Sequence, residues 1–310
     1  MKLRHLTSIT DLTAYEIKKI IDRAIVLKKQ QKTKRKVKKF LDSKTLTMIF
    51  EKPSLRTRIS FEIGMTQLGG HAIYLGPDDI QMGSREPVED IAKVTSSVAD
   101  IIMARTFSHE SIIKLAENST VPIINGLSNL EHPCQILADL MTIYEVKKTF
   151  KNITISFVGD CENNVTHSLA LASAILGINF KCASPKGYFM KKEISTIARK
   201  IAAKTGSKIS ETQDPKEAIF HSDVVITDTW VSMGDEKEKE KRLKIFTKYQ
   251  VNNKLMSLAK KNAIFMHCLP AYRGNEVTSE VIDGEKSVVF QEAENRLHVQ
   301  KALILFLLGL

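Results

Sequence analysis

The chain has 310 residues, 43% of them hydrophobic, and a formal net charge of +11. Its length suggests two domains of about 150 residues each, and no apolar run reaches the roughly 18 residues that span a membrane. Four cysteines are scattered without CxxC or paired Cys/His spacing, which argues against a disulfide framework or a structural zinc site. Met1–Ser8 has no apolar signal core, so we expect a cytoplasmic protein with reduced thiols.

The predicted elements alternate between short β-rich runs and longer helical patterns. In chain order the predicted strands are 45–50, 71–75, 100–104, 121–125, 154–158, 179–183, 224–227 and 263–266. The predicted helices lie near 12–30, 55–68, 87–99, 109–118, 133–148, 163–176, 190–205, 214–221, 252–261 and 293–308. This alternation predicts an α/β fold of two similar domains, each a parallel sheet layered by helices and joined by the long helix that begins at Pro133.

Two charged runs lie on predicted surfaces. The basic run 28–39 could bind nucleic acid, but it has no aromatic residues to stack bases, so we favour a solvated helix end and loop. The mixed run Asp235–Arg242 is predicted to be a mobile surface loop, flexible enough to act as a lid.

Ser54–Arg58 lies where the first predicted strand turns into a helix. Free backbone N–H groups point outward at such a position, and the helix dipole favours an anion. The segment adds two hydroxyls and two guanidiniums, Ser54, Thr57, Arg56 and Arg58. Short donors and forked cations together are what a phosphate site needs.

Further polar residues follow other predicted strands, at the edge where parallel α/β sheets bind ligands. Arg105 ends an apolar strand, which is an unusual place for a cation that meets no anion or polarised carbonyl. His132 and Gln135 flank Pro133 and lie one helical turn apart, so both could reach a ligand between the domains.

The second half carries its own polar strand ends. Gly159–Asn164 lacks the later glycines of a dinucleotide turn, which argues against a nicotinamide cofactor; its asparagines suit capping or an amino-acid head group. Asp228 ends a buried-looking strand and could pair with an ammonium. Cys268 could be a nucleophile, although a buried inert thiol is commoner.

Taken in order, these motifs resemble the carbamoyltransferase family, and most closely its ornithine-specific branch. The resemblance extends over nearly the whole chain and rests on Ser54–Arg58, Gln81, Arg105, His132–Gln135, Asn163–Asn164, Asp228 with Ser232–Gly234, His267–Pro270 and Glu292–Arg296. Two positions differ from the common pattern: Leu55 stands where threonine is usual, and Tyr272 where histidine is frequent.

The resemblance implies carbamoyl transfer from carbamoyl phosphate to the δ-amine of L-ornithine, in arginine biosynthesis or, in reverse, arginine catabolism. It implies no metal or organic cofactor and a homotrimer, or a multiple of trimers, with shared active sites. The implied domains are 1–135 for carbamoyl phosphate, joined by the helix 293–310, and 136–292 for ornithine.

Each binding residue has an implied role. The residues implied for carbamoyl phosphate are Ser54, Leu55, Arg56, Thr57, Arg105, His132, Gln135, Cys268, Leu269 and Arg296, with Gln81 from a neighbouring subunit. Those implied for ornithine are Asn164, Asp228, Ser232 and Met233. Those implied for catalysis are Arg105, His132, Thr57, Asp228 and Cys268.

Other acceptors are disfavoured. An aspartate-specific enzyme would need cations near the Leu269–Pro270 turn, where Cys268 and Ala271 stand instead. Putrescine is less suitable, because the residues implied for ornithine suit an α-amino acid head.

Overall fold

A computed structural model of the chain describes residues 3–33, 38–231 and 236–310. These residues form two compact units, one of 1–141 with 294–310 and the other of 142–293. Along the described ranges, no helix combines the length and apolar character needed to cross a membrane.

The first unit contains a four-stranded parallel sheet in the order β2-β1-β3-β4. Its elements in chain order are α1 (Ala14–Lys32), β1 (Thr45–Phe50), α2 (Leu55–Leu68), β2 (His71–Leu75), α3 (Pro77–Ile80), α4 (Val88–Val98), β3 (Ile101–Arg105), α5 (His109–Asn118), β4 (Ile123–Leu127) and the first part of α6 (Pro133–Lys147). β1, β3 and β4 are almost entirely buried, as expected for strands covered by helices on both faces.

The second unit contains a five-stranded parallel sheet in the order β7-β6-β5-β8-β9. Its elements are β5 (Thr154–Val158), α7 (Asn164–Leu176), β6 (Asn179–Ala183), α8 (Lys192–Thr205), β7 (Ile209–Thr212), α9 (Pro215–Ile219), β8 (Val224–Thr227), α10 (Lys239–Phe246), α11 (Asn253–Met256), β9 (Ile264–His267) and α12 (Ser279–Ile282). The last helix, α13 (Val289–Leu307), begins in this unit and contributes its later residues to the first. Two parallel sheets layered by helices confirm the predicted α/β fold.

Some sequence-based predictions were wrong in detail. β7 was not predicted, because this edge strand buries only Ile209 and is otherwise polar. The predicted mobile loop is instead helical from Lys239 onward, and Arg242 is buried. Lys28, predicted to be solvated, is buried and donates to Asn295 Oδ1 at 2.6 Å. The middle of the basic run, 34–37, lies outside the described residues.

Lys301 on α13 is a lysine buried in the core of the first unit. Its exposed fraction is 0%, and its Nζ donates to Gln67 Oε1 of α2 at 2.7 Å and to Gln31 Oε1 of α1 at 3.0 Å. Burial lowers the pKa of Lys301 from 10.5 to about 8. Both partners are neutral amides, so they satisfy hydrogen bonds without compensating the charge.

This burial predicts a specific pH dependence of stability. Between pH 8 and 10.5 the unfolded chain binds more protons at Lys301 than the folded chain, so folding stability rises with pH across that window. We expect Lys301→Met to remove about 1–3 kcal/mol of this rise in the unfolding free energy, measured by urea titration at several pH values. Lys204→Met, at an exposed lysine of α8, is the control and should leave the pH profile unchanged. Parallel profiles for wild type and Lys301→Met would contradict the expectation.

Candidate active site

The first group of candidate residues surrounds the carboxyl ends of β1 and β3. Ser54 is the extended N-cap of α2, and its Oγ accepts the backbone N–H of Thr57. Arg105, the last residue of β3, pairs in register with Phe50 at the end of β1 and is buried, with 5% of its surface exposed. The parallel register therefore sets this cation beside the turn that leads into α2.

Arg296 of α13 connects this turn to α6. Its guanidinium donates to Thr57 Oγ1 at 2.9 Å and to Gln135 Oε1 at 2.8 Å. Ser54 Oγ also donates to Thr57 Oγ1, at 3.0 Å, and Gln135 Nε2 donates to Asp139 Oδ1 at 2.8 Å. One hydrogen-bonded chain thus joins residues far apart in sequence.

Four cations of this unit act electrostatically on His132. The ring is buried, and desolvation holds its pKa well below the usual range. The charges of Arg296, Arg105, Arg56 and Lys52 lower it further, in that order. His132 is therefore a neutral imidazole at neutral pH, and four cations act on it electrostatically. Such a concentration of buried positive charge is suited to a multiply charged anion.

The remaining residues predicted for this group lie differently. Leu55 is 70% exposed, so it contributes backbone and not side chain. Arg58, predicted to be a phosphate donor, instead donates to Glu62 Oε1 at 2.9 Å and stacks on the Tyr74 ring at 4.0 Å. Gln81 is an exposed residue in the left-handed region, with φ 42°, at the end of α3. Within the described residues, its side chain bonds to no other predicted site residue.

The second group lies in the other unit, at the carboxyl ends of β8 and β9. Thr227 pairs in register with His267, so Asp228 and Cys268 emerge side by side. Cys268 Sγ donates to Asp228 Oδ1 at 3.1 Å, and the backbone N–H of Thr229 donates to the same oxygen at 2.8 Å. Burial raises the pKa of Asp228, and the Cys268 hydrogen bond partly opposes that rise.

Two buried glutamates hold the turn that carries Cys268. The backbone N–H of Leu269 donates to His267 Nδ1 at 2.9 Å, which leaves Nε2 facing Glu276 Oε1 at 3.2 Å. Glu292 Oε2 accepts the backbone N–H of His267 at 2.9 Å. Leu269 itself adopts φ 58°, an unfavourable backbone region for a residue with a Cβ. Sequence reasoning missed the role of Glu276, because no short-range spacing connects it to His267.

Asn164 is the first residue of α7, after β5, the neighbour of β8 in the sheet. Asn163 caps this helix by accepting the Thr166 N–H at 2.8 Å. Asp160, also after β5, accepts a bond of 2.7 Å from Arg242, so this arginine is part of a buried ion pair and not of a lid. Ser232 and Met233, predicted for ornithine, lie outside the described residues.

Asp228, His267 and Cys268 also present ligand-type atoms within 4.8 Å of one another. Both ring nitrogens of His267 are already engaged, with Leu269 N–H and with Glu276. Because a metal-bound histidine must offer a free lone pair, this arrangement favours hydrogen bonding over metal binding.

Comparisons with known proteins agree over the whole chain. Residues 4–145 match the aspartate/ornithine carbamoyltransferase, carbamoyl-P binding domain, and residues 151–307 match the Asp/Orn binding domain of the same family. The ornithine carbamoyltransferase of Archaeoglobus fulgidus is 49% identical over 99% of this chain and 98% of that protein. That of Methanosarcina acetivorans is 51% identical over 98% of this chain and 99% of that protein.

Solved structures show the same likeness. Ornithine carbamoyltransferase from Pyrococcus furiosus has a TM-score of 0.95 and 47% identity, over 99% of this chain and 97% of that one. The anabolic ornithine carbamoyltransferase from Campylobacter jejuni has a TM-score of 0.93 and 45% identity, over 98% of this chain and 99% of that one. The chain therefore belongs to the aspartate/ornithine carbamoyltransferase family.

Proposed function

We propose that this chain transfers the carbamoyl group of carbamoyl phosphate to the δ-amine of L-ornithine, giving L-citrulline and phosphate. The observation that carries the proposal is that four cations, three of them buried, act on the neutral His132, and that one of these, Arg296, also bonds Thr57 in the first turn of α2. Ornithine as the acceptor is supported by the relatives named ornithine carbamoyltransferase, whose sequences are 49% and 51% identical to this chain over nearly its full length.

The first unit binds carbamoyl phosphate in this proposal. Ser54, Arg56, Thr57 and the backbone at Leu55 hold the phosphate, where the helix dipole and N–H groups favour an anion. Arg105, His132, Gln135 and Arg296 bind the carbamoyl end and the bridging oxygen. A neutral His132 donates one ring N–H to the carbonyl oxygen without adding a charge that the surrounding cations would oppose.

In the second unit we assign Asn164, Asp228, Ser232 and Met233 to ornithine binding, and the backbone of Cys268 and Leu269 to carbamoyl phosphate binding. Asp228 and Cys268 are candidates for steering or accepting the amine proton, and phosphate and water are equally allowed acceptors. A buried aspartate whose pKa is raised accepts a proton more readily than an exposed one.

The reaction needs alignment and charge stabilisation more than covalent assistance. The neutral δ-amine forms a bond to the carbonyl carbon, and the carbonyl oxygen becomes negative in the tetrahedral intermediate. Arg105, His132 and Thr57 stabilise that oxygen. The bridging C–O bond then breaks and phosphate leaves with the electron pair, while the amine proton passes to the Cys268–Asp228 pair, to the departing phosphate or to water.

Ornithine is favoured over aspartate by the residues near the Leu269–Pro270 turn. Leu269 and Ala271 pack against the apolar core of the second unit. Arg273, a cation close to this turn in sequence, donates to both carboxylate oxygens of Asp283, at 3.1 and 2.7 Å. A second substrate carboxylate would have to compete with Asp283 for that guanidinium.

The proposal includes a homotrimer, or a multiple of trimers, in which Gln81 completes a neighbour's site. An exposed apolar stripe in the first unit supports self-association: Leu55, Ile59 and Ile63 recur every four residues on α2, and Ile73 lies on the edge strand β2. A cytoplasmic location is supported by the free state of all four cysteines.

The reaction is tested by measuring the product formed from carbamoyl phosphate with ornithine, putrescine, aspartate and acetylornithine in parallel. We expect ornithine alone to give rapid turnover. Turnover with another acceptor would keep the carbamoyl phosphate half of the proposal and overturn the assignment of the second unit. No turnover with any acceptor would contradict the whole proposal.

Arg56→Lys tests the phosphate subsite. Lysine keeps the charge but loses the forked donor geometry, so we expect kcat/KM for carbamoyl phosphate to fall roughly a hundredfold. Arg58→Lys is the matched control on the same helix, because that guanidinium is bonded to Glu62, and its kinetics should stay within about twofold. Equal kinetics for wild type and Arg56→Lys would remove Arg56 from the site.

Asp228→Asn tests the ornithine assignment. Loss of the carboxylate should raise the ornithine KM by about tenfold or more, since a charged hydrogen bond contributes about 1.5–3 kcal/mol. The KM for carbamoyl phosphate should change little. Asp283→Asn, at an exposed carboxylate of the same unit, is the control. An unaltered ornithine KM and turnover in Asp228→Asn would refute the assignment.

A further inference from the structure

We infer that Asp139 is a positioning residue that fixes the orientation of the Gln135 amide and thereby makes the site selective for a carbamoyl group. The inference rests on the proposed function. Sequence reasoning did not single out Asp139, although a carboxylate four residues after Gln135, in an otherwise apolar part of α6, was a readable signal.

Asp139 and Gln135 lie one turn apart on α6, and each is only 1% exposed. Gln135 Nε2 donates to Asp139 Oδ1 at 2.8 Å. The opposite end of the amide, Oε1, accepts from Arg296 Nη1 at 2.8 Å. Both bonds are within the first unit.

The chemistry of the two neighbours allows only this orientation. A carboxylate accepts hydrogen bonds, so it requires the NH₂ end of the amide. A guanidinium only donates, so it requires the oxygen. A flipped amide would place two donors against each other at Arg296 and two acceptors against each other at Asp139, and in a buried site both would be costly.

The fixed orientation matters because it decides which end of the Gln135 amide is the acceptor: the oxygen lies on the Arg296 side and the NH₂ on the Asp139 side. A carbamoyl group carries an NH₂ where an acetyl group carries a methyl group. A hydrogen-bond acceptor held in place beside the substrate can therefore bond the carbamoyl group but not the acetyl group. A site built to bond a polar group rejects the analogue that lacks it, because its own buried polar atom is then left unsatisfied. Asp139 therefore acts on the carbamoyl end through Gln135, without touching the substrate.

The orientation also affects Arg296. With one arm on Gln135 Oε1 and the other on Thr57 Oγ1 at 2.9 Å, the guanidinium plane is fixed from two sides. Thr57 lies in the first turn of α2, which the proposed function assigns to the phosphate. A chain of hydrogen bonds therefore runs from Asp139 through Gln135 and Arg296 to that turn. Most of the groups proposed to hold the phosphate, namely Ser54, Arg56 and the backbone N–H groups at the start of α2, do not depend on the direction of the Gln135 amide.

The test is Asp139→Asn, which preserves shape but can bond Gln135 with either of its ends. We expect the carbamoyl phosphate KM to rise about tenfold, the change that corresponds to about 1.4 kcal/mol, while the ornithine KM stays within about twofold. The inhibition constant of inorganic phosphate, which lacks the carbamoyl NH₂, should also stay within about twofold. The ratio of the inhibition constant of acetyl phosphate to the carbamoyl phosphate KM should fall.

Two further variants separate positioning from general damage. In a Gln135→Leu background, Asp139→Asn should have less than about a twofold further effect, because the residue it orients is gone. Glu145→Gln, at a carboxylate elsewhere on α6, is the control and should leave the carbamoyl phosphate KM unchanged. If Asp139→Asn does not fold, Asp139→Glu, which keeps the carboxylate but displaces it, should show the same selective rise.

The inference is overturned if phosphate binding weakens in parallel with carbamoyl phosphate binding, or if the Asp139→Asn effect is equally large without Gln135. An unchanged carbamoyl phosphate KM in Asp139→Asn, with wild type turning over ornithine, would refute the role of Asp139 alone. Absence of turnover in the wild type would refute the proposed function as well.

Discussion

The buried positive charge around His132 is the constraint on which the first unit depends. Arg296, Arg105, Arg56 and Lys52 all act on this one ring, and three of the four are themselves buried. Desolvating several like charges together is costly unless anionic or hydrogen-bonding groups offset it. The fold supplies some compensation through Thr57 and Gln135, and a dianionic substrate would supply more. An anion bound beside these cations would therefore offset part of a desolvation cost already present in the folded chain.

Parallel topology explains how residues so far apart in sequence reach one place. Arg105 stands beside the start of the turn that leads into α2 because β3 pairs with β1, and Asp228 stands beside Cys268 because β9 pairs with β8. In both units the strands deliver their next residues to the same edge of the sheet, where side chains are free to meet a ligand. The later residues of α13 belong to the first unit, and they bring Arg296 to Thr57.

Much of this could be predicted from the sequence. The strands β1, β2, β5, β6 and β8 were predicted within their observed bounds because apolar β-branched runs between helical patterns identify buried parallel strands. Ser54, Arg105, Asp228 and Cys268 were noticed because polar residues directly after such strands are out of place. Hydrophobic periodicity does not tell which residues far apart in sequence form ion pairs or hydrogen bonds. The Arg242–Asp160 ion pair was therefore missed, since an alternating charge run looks solvated from sequence alone. Arg58 was misassigned because spacing does not tell which way a guanidinium points.

We propose that the first unit forms the carbamoyl phosphate site before any acceptor binds. The most direct measurement is isothermal titration of the protein with carbamoyl phosphate in the absence of any acceptor, repeated with inorganic phosphate present. We expect one carbamoyl phosphate to bind per chain and inorganic phosphate to displace it competitively. Failure to bind carbamoyl phosphate without an acceptor, or binding that phosphate leaves unaffected, would contradict it.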